Sequence, residues 1–249
     1  MSELTFEHVP PRSAFNKSTR YKSVDMLEVL KRDDILDAKF SGKVEQGGVG
    51  YFSLCSSCNN FLGINYVPSY TAYSNSFIDF AKKREFNYFE FEMHNFEASK
   101  VLKQVVSMFI TLNGWKITQH YNELRQYVLD PNSNELPKRF RVFNYLNTGG
   151  QLRNICFSTI GGFEIDKAVT VSEITFPPLG HVMTLDFNGS LPFHFELTNF
   201  KEFGIHELVS IDFKIFRLPT YLPVPLDYRE KHVIQDAIDK GKDMRPTSA

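Results

Sequence analysis

Between Asn95 and Asn113, the apolar residues Ala98, Val101, Leu102, Val105, Val106, Phe109 and Leu112 recur at spacings of three and four. That period lays them along one stripe of an α-helix, and a stripe this long has to be buried against something. Asn95 is the expected N-cap and Asn113-Gly114 the expected stop. The surfaces that cover the helix read as strands. Met183, Leu185 and Phe187 alternate with other residues, as do Phe193, Phe195 and Leu197, and then Val209, Ile211, Phe213 and Ile215. Residues 139–146, 155–160 and 171–176 are β-rich, Tyr88 to Met93 alternates, and Gly149-Gly150 and Gly161-Gly162 supply hairpin turns. A second helix is expected from Thr118 to Leu129, ended by Asp130-Pro131. Residues 85–249 therefore predict an α+β domain with a mostly antiparallel sheet and two helices. The 24 Phe and 11 Tyr suit an aromatic core in such a sheet. A Pro-rich run over 218–225 and a polar, partly disordered tail close the chain.

The first third has a different texture, and a boundary is expected near residue 84. Leu4 and Phe6 alternate with Thr5, so residues 3–8 read as a strand, and Pro10-Pro11 ends it because proline cannot donate to a ladder. Glu7-His8 thus stands at a strand end. Arg12, Lys17, Arg20 and Lys22 follow, four positive charges within eleven residues. Ser23 is placed to cap a helix to about Ile35. Gly47-Gly48-Val49-Gly50 lacks the Lys-Ser/Thr of a phosphate-binding loop and reads as a turn between strands. Tyr51–Leu54 forms a strand into Cys55-Ser56-Ser57-Cys58, where two thiols three residues apart can face one Zn²⁺. Asn59-Asn60 opens a helix, Pro68 breaks the next, and a further helix is expected over 74–83 with Phe77 and Phe80 inward.

Composition narrows the function classes. With a formal net charge of −1 there is no global basic field, so binding nucleic acid requires a local patch. Three cysteines, an odd number, argue against a disulfide framework and for a reducing compartment. The N-terminus lacks a signal-peptide pattern, and no apolar run approaches eighteen residues. The chain is expected to be cytoplasmic, with no membrane partner.

Glu7-His8-Val9-Pro10-Pro11-Arg12 taken with Cys55-Ser56-Ser57-Cys58-Asn59-Asn60-Phe61-Leu62-Gly63 resembles the HNH endonuclease family, zinc-stapled type, over roughly the first third of the chain. The resemblance implies a ββα-metal module over residues 1–84, fused to the α+β domain. It implies a metal-dependent endonuclease that hydrolyses phosphodiester bonds of nucleic acid, DNA in preference to RNA. His8 would be the general base, Glu7 and Asn59 would hold a catalytic Mg²⁺ or Mn²⁺, and Cys55 and Cys58 would belong to a structural zinc site. Arg12, Lys17, Arg20 and Lys22 would contact phosphates. Two departures stand out: zinc-stapled members carry a further Cys-x-x-Cys before the first strand, where the six residues preceding Glu7 hold no cysteine, and Gly50 stands where the middle Asn is expected.

Other readings remain open at this level. Glu7-His8 can be a surface strand end, and Cys55 and Cys58 reduced thiols. The scaffold can serve as a non-catalytic module for binding nucleic acid or protein, or the C-terminal part can be a hydrolase of unrelated type. Glu90, Glu92 and His94 share one strand face, with Glu97 a turn into the next helix. They form a rival Mg²⁺ or Mn²⁺ site, against the plainer reading of a solvated face. Cys156 reads as a core thiol. His120, His181, His194, His206 and His232 have no spacing that gathers them.

Overall fold

The computed structural model describes residues 3–23, 42–83, 86–147, 152–160, 169–191 and 193–218. The helix expected near residues 23–35, both Gly-Gly turns, His232 and the tail after residue 218 lie outside the described residues. Strand β1 (Leu4–His8) pairs antiparallel with β4 (Gly50–Cys55). Between them in sequence, β2 (Arg20–Ser23) and β3 (Lys43–Gln46) make a separate two-stranded ribbon. β4 runs straight into α1 (Ser56–Asn65), followed by α2 (Val67–Ser76) and α3 (Ile78–Lys82). Pro68 does not break a helix. It sits in the first turn of α2, where a missing N–H loses no intrahelical bond. The helix expected over 74–83 is instead divided at Phe77.

Then come β5 (Tyr88–Phe96), α4 (Ala98–Asn113), α5 (Trp115–His120) and α6 (Asn122–Leu129). Glu97, not Asn95, occupies the N-cap of α4; Asn95 has φ +56° within the last residues of β5. The helix expected over 118–129 is two, broken at Tyr121. Among the described residues after 85 there are therefore three α-helices and a 3-10 turn (Thr198–Glu202), where two helices were expected.

The remaining strands are β6 (Phe140–Asn147), β7 (Arg153–Ile160), β8 (Val169–Phe176), β9 (Leu179–Leu185), β10 (Phe195–Glu196) and β11 (Val209–Leu218). With β5 they form a seven-stranded sheet in the order β5-β11-β6-β9-β8-β7, with β10 also on β6, and among the described residues the parallel pair is β6 with β11. The fold class is α+β and the sheet mostly antiparallel. Cys156 corrects an expectation: it is exposed, not a core thiol. Ile155 takes the buried side of β7, so alternation turns the adjacent Cys156 to the opposite face, where its Sγ donates to the Leu112 carbonyl at 3.4 Å. Among the described residues, no helix is long and apolar enough to cross a membrane.

The core gathers on α4, where 14 of 16 residues are buried. Residues on both sides of the expected boundary share it. Tyr66, Tyr70, Tyr73 and Phe77 lie in one apolar cluster with Phe96, Val101, Phe109 and Phe213. Tyr73 and Phe77 each pack a ring against Phe213, at 6.1 and 5.8 Å. The polar ends of these side chains are also tied across residue 84. The Tyr66 hydroxyl donates to the Val128 carbonyl at 2.8 Å, Tyr70 meets His181 Nε2 at 3.0 Å, and Asn144 Nδ2 donates to the Tyr73 hydroxyl at 2.7 Å.

Each such aromatic contributes roughly 1.5–3 kcal/mol by burial, and a whole domain is stable by only about 5–15 kcal/mol. A fragment starting at residue 86 loses all four. It is expected to show no cooperative thermal transition by circular dichroism and no dispersed methyl signals in one-dimensional NMR. A sharp melt from that fragment would establish that residue 84 does separate two folding units.

Candidate functional site

The β1/β4 pair and the helix that leaves it place the N-terminal site residues on the two faces of β1. Side chains alternate along β1, so Thr5 and Glu7 share one face while Phe6 and His8 share the other. α1 covers the first face. Asn59, in its first turns, donates from Nδ2 to Thr5 Oγ1 at 3.1 Å and toward the Phe6 carbonyl at 3.5 Å. With the nitrogen committed, Oδ1 is the Asn59 atom open to a ligand.

Glu7 is recessed, only 9% exposed, and no described residue gives it a counter-charge. Burial alone pushes its carboxyl up to about 7 from an ordinary 4.5. The carboxylate thus sits where a positive charge is wanted. A carboxylate and an amide oxygen on one face of the strand suit a hard divalent cation such as Mg²⁺, which takes one or two protein ligands and fills its octahedron with water and phosphate oxygens. Among the described residues, no three His, Cys, Asp or Glu side chains cluster to hold a metal without such help.

His8 points to the other face, its ring edge-on to Phe6 at 5.0 Å between centroids. Its Nε2 lies 3.2 Å from the Gly47 carbonyl oxygen. A carbonyl only accepts, so Nε2 carries the proton and Nδ1 keeps the lone pair. Burial lowers the imidazole pKa below its usual 6.5, the Gly47 bond opposes that, and the Arg12 guanidinium lowers it further. His8 is therefore neutral at physiological pH, with its basic nitrogen defined.

The loop that holds His8 is built around Asn16, which the sequence did not single out, and Gly48, which lies in the run read as a turn. Asn16, fully buried, donates from Nδ2 to the Pro10 and Val49 carbonyls, both at 2.7 Å, and accepts from the Val49 N–H at 2.8 Å. One amide thus clamps the turn after β1 to the start of β4. Gly48, at φ +108°, lets the chain pass against the imidazole: a Cβ there would lie 2.6 Å from His8 Cδ2 and 2.3 Å from the Asn16 carbonyl oxygen. The register also accounts for the glycine at position 50. Gly50 stands directly across from His8, and a Cβ on it would lie 2.3 Å from the Glu7 carbonyl oxygen. No side chain fits there, and the Gly47 carbonyl orients the imidazole instead. The glycine run was the available signal in the sequence; Asn16 left none, because its partners are distant in the chain.

Arg12 and Lys17 lie exposed on the Asn16-anchored turn, and Arg20 and Lys22 lie exposed on β2. Cys55 ends β4 as the N-cap of α1, with Cys58 one turn on. Cys55 Sγ lies 3.1 Å from Ser57 Oγ, and that contact, with help from the helix N–H groups, brings its thiol down to about 7. Burial raises Cys58. The pair supplies two of the four ligands a structural zinc needs, so it does not by itself fit a closed site. Beside it opens a cleft of about 200 Å³ with Trp115 and Arg125 on its wall; Glu7, His8 and Asn59 do not line it.

On the rival strand the charges are already engaged. Glu90 meets Lys214 at 2.7 Å, and His94 Nδ1 lies 3.0 Å from Ser210 Oγ and 3.5 Å from Glu92. Glu97 accepts from Lys100 and Ser69, each at 2.5 Å. Among the other histidines, His181 is buried on Tyr70 and His206 sits exposed 3.9 Å from Glu97.

Comparison of the chain with protein-family models, with curated proteins and with solved structures finds no match in any of the three.

The uncompensated Glu7 has a measurable signature. Because its pKa is raised on folding, the folded chain keeps a proton between about pH 4.5 and 7 that the unfolded chain releases, so stability falls as pH rises through that window. The penalty above pH 7 is on the order of 3 kcal/mol. Glu7→Gln should therefore melt several degrees higher than the parent at pH 7.5 and close to it at pH 4.5, in cation-free buffer. A variant that melts at or below the parent at pH 7.5 would mean the carboxylate has a counter-charge after all.

Proposed function

We propose that this chain is a metal-dependent endonuclease that hydrolyses phosphodiester bonds in nucleic acid, with His8 as general base. The observation that carries the reading is the fixed tautomer of His8, held by the Gly47 carbonyl at the end of a hairpin whose other face presents Glu7 and Asn59. A strand, a second strand and a helix arranged in that way agree with the ββα-metal module that the sequence resembles.

The residues divide the work. A phosphate lying across the end of β1 is reached from both faces of the hairpin. His8 Nδ1 takes a proton from a water as the water oxygen bonds to phosphorus and the bond from phosphorus to the ribose oxygen breaks. Glu7 and Asn59 Oδ1 would hold the cation, which when bound would neutralise charge growing on the phosphate and the leaving oxygen. Arg12, near enough to His8 to depress its pKa, is placed to pair with the same phosphate, and Lys17 lies on the same turn.

Plasmid nicking with Mg²⁺ or Mn²⁺, and with EDTA as the blank, tests this reading. His8→Ala should slow cleavage by roughly 10²–10⁴-fold while nucleic-acid affinity and the thermal transition stay near parent values. At saturating cation the parent rate should rise with pH and level off with an apparent pKa below 6.5, the direction in which burial and Arg12 move His8. Alanine at Glu90 and Glu92 together should change neither. Cleavage that survives His8→Ala but is lost with Glu92→Ala would transfer the active site to β5. Binding without cleavage under every cation would leave a non-catalytic nucleic-acid module.

A further inference from the structure

Cys55 and Cys58 take no part in the steps assigned to Glu7, His8 and Asn59, and they face a different space. On α1, Asn59 reaches back to β1, while its neighbour Cys58 and the N-cap Cys55 line the cleft that holds Trp115 and Arg125. Both thiols are half-buried, and Cys58 is the more enclosed. Residues three apart at a helix start are surface neighbours, and a disulfide bridges Cα atoms about 4.4–6.8 Å apart. The two sulfurs are already within hydrogen-bonding reach of each other. A zinc needs two more ligands than this pair supplies, whereas a disulfide needs none.

The two sulfurs are not equivalent. Ser57 Oγ, 3.1 Å away, and the N–H groups of Ser57 and Cys58 gather on Cys55 Sγ, the donor setting in which a cysteine acts as a nucleophile. Cys58 stands one turn behind it, where a resolving thiol is needed. The cleft they share is about 200 Å³ and walled by apolar side chains, among them Leu54, Leu62, Ile110 and Val128. Trp115, 56% exposed, adds an aromatic surface. Arg125 is exposed on the same wall, and among the described residues no carboxylate lines the cleft to pair with it. A guanidinium left in that state beside two thiols suits a ligand that brings a carboxylate and a sulfur together.

We propose that Cys55 and Cys58 are a redox-active dithiol that reduces small peptide disulfides, bound in this cleft with a carboxylate on Arg125. Cys55 gives up its proton, and its sulfur bonds to one sulfur of the disulfide as the S–S bond breaks and the other half leaves as a thiolate. Cys58 then loses its proton, bonds to Cys55 Sγ and displaces the second half. Two electrons pass from the dithiol to the disulfide, the two protons go to the two leaving thiolates, and the protein ends with a Cys55–Cys58 bond. Return to the dithiol takes two electrons from an external thiol reductant. The inference goes beyond the nuclease reading and does not rest on it, since Glu7, His8 and Asn59 lie outside the cleft.

The test is the reaction of the reduced chain with glutathione disulfide in EDTA, followed by intact mass and peptide mapping. Cys156→Ser is carried throughout, because Cys156 is also exposed. This protein should form the Cys55–Cys58 disulfide and release two equivalents of glutathione, roughly tenfold or more faster than the same chain unfolded in urea. Cys58→Ser should stop with glutathione on Cys55, and Cys55→Ser should react about tenfold more slowly than Cys58→Ser. Arg125→Gln should slow reduction of glutathione disulfide roughly fivefold and change that of bis(2-hydroxyethyl) disulfide, which has no carboxylate, by less than about twofold. A folded chain no faster than the unfolded one would overturn the proposal, and that comparison needs no substitution at the pair. An adduct trapped on Cys58 and not on Cys55, an equal loss for both disulfides in Arg125→Gln, or zinc that persists in EDTA and shields both thiols would each do the same.

Discussion

A helix buried on nearly every side needs a cover for each of its faces, and α4 sets that requirement for the whole molecule. The seven-stranded sheet covers part of it. The rest is covered by α1 and α2, by α6 and by the strand that ends at Cys55. The polar residues of α4 are enclosed too, so they need partners within the protein. Lys103 finds three carbonyls, those of Tyr127 at 2.5 Å, Ser133 at 2.7 Å and Asp130 at 3.0 Å, and so ties the end of α6 to the middle of α4. Burial pulls its ammonium down to about 8, yet the three acceptors keep it anchored there. The N-terminal third is in this sense a wall of the core, and the candidate site is mounted on that wall.

The mounting combines rigidity with an unfavourable charge. Asn16 fixes two segments of chain through three bonds, and Gly48 allows the backbone to approach the imidazole more closely than a side chain would permit. Beside this stands Glu7, recessed with no counter-charge among the described residues. A chain selected for stability alone would place a neutral residue there. Rigid support around an electrostatically unsatisfied carboxylate is the arrangement expected where a cation is to be held and released.

What could be read from the sequence follows from the range of each interaction. The period of α4 and the alternation of β9 and β11 are local patterns and were legible within a dozen residues. The ends of helices were less so. Aromatic spacing carries across Phe77 and Tyr121 without signalling a break, and Asn95 looks like a cap although β5 continues to Phe96. The β2–β3 ribbon was invisible because neither strand has an apolar face, so no alternation marks it. Cys156 was misplaced because its neighbour Ile155 takes the buried face of β7, a choice that the apolar run around them does not reveal. The candidates Glu7, His8 and Asn59 could be named from their motif, but Asn16 could not, since its bond to Val49 joins residues 33 positions apart.

The bond between Tyr70 and His181 joins residues 111 positions apart. The strand bearing His8 and the helix bearing Asn59 leave the ribosome before β9, which receives Tyr70. At about 5–20 residues per second, the hairpin and its helix wait on the order of ten seconds for the wall behind them. Through that interval, Tyr70, Tyr73 and Phe77 have no sheet to pack against. The candidate site therefore reaches its final support late in synthesis, and a newly made chain has an interval in which the strand and helix that carry it exist before the core that holds them in place.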